Sequence, residues 1–191
     1  GDDGARMLAL REGMRSNIMV EEARIHGPEA QKPALDAVAG YFRELGLPAP
    51  APVAAPYAPD LEAQLDAVAE IKPRVFTVHL ADLDARRLKD FQSRGIVVGG
   101  SATCVEEALH LEALGVDFVI AQGAEAGGHR GSFAQPFEDA MIGTMALVPQ
   151  TVDAVRVPVI AAGGIMDGRG IAAAFALGAS AVQMGTAFLT C

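Results

Sequence analysis

From about residue 60 onward the chain alternates helical patterns with short runs of β-branched apolar residues, and glycine or proline marks nearly every change of pattern. A chain written this way is confined to folds in which parallel strands are joined by crossover helices. Leu61 to Glu70 has helical spacing and stops before Lys72-Pro73, after which Val75 to His79 reads as a strand. Leu83 to Ser93 is helical and ends at Gly95, and Ile96 to Gly100 is the next strand. Val105 to Leu114 repeats the scheme, with Gly115 at the helix end, where glycine takes the left-handed conformation that other residues resist, and Val116 to Ala121 as strand. Met145 to Val155 is helical, Val157 to Ala161 strand, Gly170 to Leu177 helix with Gly178 as its cap, and Ala181 to Met184 the last strand. Nearer the front, Asn17 to Val20 reads as a further strand, followed by an amphipathic helix from about Pro33 to Leu45. The Pro- and Ala-rich segment Ala49 to Pro59 reads as an ordered connection rather than a domain boundary.

Two architectures suit such a chain: the closed eight-stranded barrel and the open doubly wound sheet. The open sheet normally carries Gly-x-Gly-x-x-Gly after its first strand, and no such motif follows Asn17 to Val20. The glycine clusters follow the later strands instead, as in the phosphate sites of β/α barrels, so a TIM-type (β/α)8 barrel is expected. Six readable strands do not close a barrel of eight, and such domains typically run to about 250 residues. The 191 residues are therefore expected to be one α/β domain, 1–191, an incomplete chain lacking the first strands.

Composition narrows the function. A net charge of −9 argues against a nucleic-acid track, which needs clustered Lys and Arg, without excluding one small anion held locally. No apolar run reaches the roughly 18 residues of a membrane helix, and the opening Gly1-Asp2-Asp3-Gly4 is unlike a signal peptide, so a soluble, cytoplasmic protein is expected. Cys104 and Cys191 make neither a disulfide framework nor a metal spacing, and no His, Cys or Asp cluster has metal-site spacing.

The chemistry concentrates after the Val116 to Ala121 strand. Gln122 to Gly131 holds four glycines in ten positions, so its backbone can approach a ligand closely, and it delivers His129 to the face where barrel enzymes place catalytic groups. A second device combines Ala162-Gly163-Gly164-Ile165 with Gln183-Met184-Gly185-Thr186: backbone N–H groups from two such turns can enclose a phosphate, helped by the N-terminus of a following helix. His79 closes a strand at the same face and either lines a substrate pocket or is packed structurally. Arg130 either attracts an anionic substrate or is a solvated loop charge, and Glu125 is most simply a carboxylate meeting backbone donors in the glycine loop. His26 and His110 read as surface residues, His110 because it stands among Glu106, Glu107 and Glu112.

The stretches Ala121 to Gly131, Ala146 to Gln150, Pro158 to Ile165 with Asp167 to Gly170, and Gln183 to Leu189 resemble the nitronate monooxygenase family, formerly called 2-nitropropane dioxygenases. The resemblance implies an oxidoreductase, a flavoprotein of the TIM-barrel type that uses flavin mononucleotide (FMN) to oxidise small anionic alkyl nitronates with O2 to carbonyl compounds and nitrite. By similarity, FMN would be contacted by Asn17, Gln122, Gly127, Gly163, Gly164, Gln183, Met184, Gly185 and Thr186, and His129 matches the family's active-site histidine. Amide side chains suit ring carbonyls and nitrogens, and glycine N–H groups suit the phosphate. A homodimer is the assembly to test for. Around Asn17 the likeness is loose, and the family's first two strands are not visible. Two other functions stand beside this one: an FMN-dependent NAD(P)H enoyl-thioester (enoyl-ACP) reductase, a related barrel that shares the Glu-Ala-Gly-Gly-His stretch, and a non-catalytic remnant with no flavin pocket.

Overall fold

A computed structural model describes residues 31–52, 60–79, 83–136 and 139–189. The chain divides into two compact units, Gly1–Asp66 and Ala67–Cys191. In the first, α1 spans Gln31–Glu44 and ends at Gly46, whose φ of 64° turns the chain so that Leu47 N–H reaches the Phe42 carbonyl. Helix α2, Leu61–Ile71, starts where the Asp60 side chain accepts the Ala63 N–H, and the division between units falls inside it. The expected strand Asn17 to Val20 and most of the Pro/Ala-rich connection lie outside the described residues.

Among its described residues the second unit holds five strands, β1 Val75–Val78, β2 Val97–Ala102, β3 Phe118–Gln122, β4 Val159–Ala162 and β5 Ala181–Gln183. Between them run α3 Ala85–Ser93, α4 Val105–Leu114, α5 Thr144–Ala154 and α6 Gly168–Ala176, and a short 3-10 helix, Thr186–Phe188, follows β5. Every pairing is parallel and the order is β1-β2-β3-β4-β5. A doubly wound sheet reverses its strand order at a switch point, and this sheet has none. It is wound in one direction throughout, as a (β/α) barrel is, and forms a half-barrel of the expected α/β class.

Small shifts in element boundaries have local causes. Helix α3 starts at Ala85 rather than Leu83 because the Asp84 carboxylate accepts the Arg86 N–H at 2.8 Å, making Asp84 the N-cap. Strand β3 starts at Phe118 rather than Val116 because Gly115, at φ 102°, closes α4 and Val116 N–H still reaches back to the Leu111 carbonyl. Helix α6 starts at Gly168 because Asp167 caps it.

The period of two along each strand sorts the sheet into two faces. Val98, Val119, Val159 and Ala161 share one face with Gly100, where an added Cβ would stand 2.6 Å from Leu111, so α4 packs directly on the strand. Thr77, Gly99, Ser101, Phe118, Ile120, Gln122, Ile160, Ala162 and Gln183 share the other. There Phe118, Ile120 and Ala162 form a buried cluster with Ile160 against it, and the Phe118 ring lies across Gly99. Above this cluster, toward the carboxyl ends of the strands, the same face becomes polar.

Candidate active site

A cleft of about 240 Å3 opens at the carboxyl ends of all five strands. Its floor is the strand-end edge of the interior face, polar at Ser101 from β2, Gln122 from β3 and Gln183 from β5 and apolar at Ile120 from β3 and Ala162 from β4. Gln122, Ala162 and Gln183 stand in one register row, so two amide side chains flank one methyl group. His79, the residue after β1, stands on the near wall. The walls are completed by Glu125 to Gly127 from the loop after β3, Gly163 to Met166 from the turn after β4, and Gly185 and Thr186 after β5.

The two glycine turns and the glycine loop therefore meet. Gly163 and Gly164 have φ of 118° and 67°, backbone that side-chain-bearing residues rarely adopt. A Cβ on Gly163 would stand 2.7 Å from Thr144 Oγ1 and 3.0 Å from Ala126 N, and one on Gly127 would stand 3.1 Å from Thr186 Oγ1. Three loops from three successive strands thus approach one another closely, most tightly at Gly163, where a side chain would meet both Thr144 and the Ala126 backbone. The helix N-terminus expected to assist is already taken: the Asp167 carboxylate accepts the Arg169 and Gly170 N–H groups at the start of α6. An anion in this cleft would be held by the turns themselves.

Of the expected cofactor-binding residues, Gln122, Gly127, Gly163, Gly164, Gln183, Gly185 and Thr186 line the cleft; Met184 is half-buried and does not, and Asn17 lies outside the described residues. Gln122 is 7% exposed, and its amide is turned to the loop: Nε2 donates to the His129 carbonyl at 2.9 Å and Oε1 accepts the Gly131 N–H at 2.7 Å. One Nε2 hydrogen remains for a ligand. His129 is exposed, and its side chain is not among those lining the cleft. Its carbonyl also lies 3.0 Å from His79 Nε2, and because a carbonyl only accepts, that nitrogen carries the hydrogen. Two histidines 50 residues apart are thus joined at the cleft edge.

Arg130 is neither a substrate-facing cation nor a solvated charge. Its half-buried guanidinium donates to the carbonyls of Gln122, Ala140 and Thr103, spanning three segments. Glu125 also reaches beyond its own loop, accepting the N–H and the hydroxyl of Thr144 at 2.8 and 2.7 Å at the start of α5. Burial opposes its ionisation, but the Thr144 donors prevail and hold its carboxyl below the ordinary value of 4.5.

Glu107 is the residue that inspection of the sequence overlooks. It is fully buried, with Thr103 N–H and Oγ1 both 2.7 Å from Oε2, and Phe133 N–H at 2.6 Å and Ala134 N–H at 2.9 Å from Oε1. Burial again opposes ionisation, and these four donors more than offset it, so the carboxyl is held below 4.5. A signal was present: Thr103 and Glu107 flank the first turn of α4 much as a capping box does, with the glutamate at the third helical position. Among the described residues no group of three His, Cys, Asp or Glu side chains is arranged to hold a metal, and no helix is long and apolar enough to cross a membrane.

A family model described as nitronate monooxygenase matches residues 19–191. A probable nitronate monooxygenase of Staphylococcus saprophyticus is 57% identical over 105 residues, 54% of this chain and 30% of that protein. The chain thus spans under a third of the length of that curated relative. Among solved structures, the nitroalkane oxidase from Streptomyces ansochromogenes is 44% identical with a TM-score of 0.65, covering 67% of this chain and 38% of that one. FabK from Thermotoga maritima is 39% identical with a TM-score of 0.60, covering 69% of this chain and 39% of that one.

Proposed function

This chain belongs to the nitronate monooxygenase family, and from that premise we propose that its cleft is part of the FMN and substrate site of an oxidoreductase that converts alkyl nitronates and O2 to carbonyl compounds and nitrite. The observation that carries the reading is the meeting of the Gly163-Gly164 turn, the Gly185-Thr186 turn and the Gly127 loop around one cleft. The donor set suits a flavin. Gly164, Gly185 and Thr186 offer a neutral backbone cradle for the phosphate, while Gln122 and Gln183 offer amides to the ring above the apolar floor of Ile120 and Ala162.

When bound, FMN supplies the electron-accepting centre that neither glutamine nor histidine side chains provide. The chain's own residues do the rest. Gly127 and Thr186 close the cleft, His129 and His79 stand at its edge as the groups that hold or move a proton, and Gln122 fixes the backbone between them. Glu125 is kept ionised by Thr144 and braces the loop.

Titration of the purified chain with FMN tests the cofactor: a yellow, flavin-retaining protein is expected, and a colourless one after FMN addition sinks the reading. Nitrite release from an alkyl nitronate under air tests the reaction. NAD(P)H-driven enoyl-thioester reduction without nitrite release would assign the enoyl reductase instead.

A further inference from the structure

Among the described residues of 123–143 there is neither helix nor strand, yet this stretch brings the His129 carbonyl to His79 at the cleft edge. We propose that Glu107 is a positioning residue for the cleft, pinning Phe133 and Ala134 to the start of α4 and thereby setting where Gly131 and the His129 carbonyl stand against His79.

The contacts form a continuous series. Glu107 Oε1 takes the Phe133 and Ala134 N–H groups, and Oε2 takes both donors of Thr103, so the carboxylate has no unused acceptor direction. Two residues upstream of Phe133, Gly131 N–H is held by Gln122 Oε1, whose partner nitrogen holds the His129 carbonyl. That carbonyl receives His79 Nε2–H, and a Cβ at Gly131 would stand 2.7 Å from His79 Cε1, so the ring rests on the Gly131 backbone. Between them, Arg130 ties the loop to the Gln122 and Thr103 carbonyls.

A buried carboxylate is a costly anchor, because its desolvation must be offset by hydrogen bonds, and apolar packing alone would hold a loop down. What the carboxylate adds is direction. Two N–H donors on one oxygen and two on the other permit one register of the loop, as charge-assisted bonds to a fixed acceptor do. The consequence for turnover rests on the reading of the cleft as the flavin site; the geometry is measurable without any ligand.

The test is nuclear magnetic resonance on the 191-residue chain, reading the through-space contact between His79 Hε1 and the Gly131 α protons together with amide exchange at Phe133 and Ala134. Glu107→Gln places an amide hydrogen where Thr103 N–H or the loop N–H groups need an acceptor. It should abolish the contact and speed exchange at Phe133 and Ala134 about tenfold or more, the loss of one hydrogen bond to a charged acceptor. Glu112→Gln is the control. Its carboxylate makes a comparable clamp from the same helix, to Arg156 and Val157 N–H, and should leave both readouts unchanged.

A folded Glu107→Gln protein with the contact intact, or equal loss in Glu112→Gln, overturns the proposal. Should Glu107→Gln not fold, the unaltered chain decides: Ala134 is an exposed residue, so its amide exchanges slowly only if Glu107 holds it, and exchange at the open-chain rate refutes the assignment. A chain that shows the contact but takes up no FMN sinks the cofactor reading alone.

Discussion

Glu125 and Thr144 lock together across the cleft wall, the carboxylate of one accepting both the N–H and the hydroxyl of the other, at 2.8 and 2.7 Å. Gly123 lies under this pair: a Cβ there would stand 1.9 Å from Thr144 Oγ1, 2.6 Å from its backbone nitrogen and 2.7 Å from Glu125 Oε2. Because one of those atoms is backbone, the clash cannot be relieved by a rotamer. Gly123→Ala is expected to lower stability by about 1 to 3 kcal/mol, the usual cost of overpacking. Thermal unfolding of the purified variant checks it, and an unchanged midpoint would show that the lock tolerates displacement.

Acid should weaken the same region. Glu107 and Glu125 both hold carboxyls below the ordinary 4.5, so the unfolded chain binds their protons first as pH falls. Their contribution is complete above that ordinary value and is lost as pH drops through the folded values. Stability is expected to be level from neutral pH to about 5 and then to decline by up to about 1.4 kcal/mol per pH unit for the buried Glu107, with a smaller share from Glu125, whose exposed carboxylate is screened by solvent. Urea unfolding as a function of pH measures this, and Glu107→Gln should flatten the decline. A midpoint constant to pH 3 would contradict the depressed values.

His129→Asn separates binding from chemistry. The cleft lining does not include the His129 side chain, so FMN uptake should be unaffected, while nitrite release falls about a hundredfold or more if the imidazole handles a proton. His79→Asn, altering a residue that does line the cleft, should lower turnover as well. Full activity in His129→Asn removes that imidazole from the reaction and leaves His79 as the histidine at the cleft among the described residues.

Cys104 should be chemically silent in the folded protein. Burial, aided by the charges of Glu107 and Glu106, pushes its thiol up to about 11, and the side chain is 3% exposed. Peptide mapping after alkylation at neutral pH is expected to find Cys104 unmodified in native protein and modified after denaturation. Labelling of native Cys104 at the rate of a free thiol would show that α4 opens at its start.

The described elements from α1 to β5 were legible in the sequence because their signals are local. Val105–Leu114 is bounded by its own glycine cap, and Val159–Ala162 and Ala181–Gln183 announce themselves as apolar runs between turns. Where boundaries moved, at Asp84 and Asp167, a side chain captured N–H groups within three residues. The glycine turns at 163–164 and 185–186 and the loop at 127 were also recognisable as segments able to approach one another closely, since so many small residues follow consecutive strands, and the structure brings them to one cleft.

What the sequence alone determined, then, was the alternation of strand and helix, and with it the face on which the loops gather: both follow from patterns that repeat every two or roughly 3.6 residues. Only the tertiary structure decided what the charged and amide side chains do. Glu107 meets donors 26 and 27 residues downstream, Gln122 gives Oε1 and one Nε2 hydrogen to the loop, Arg130 turns inward to carbonyls, and His79 reaches the His129 carbonyl. No periodicity encodes these pairings. A long polar side chain finds its partner by removal from water, and that depends on which segments the whole sheet brings within about 3 Å of one another.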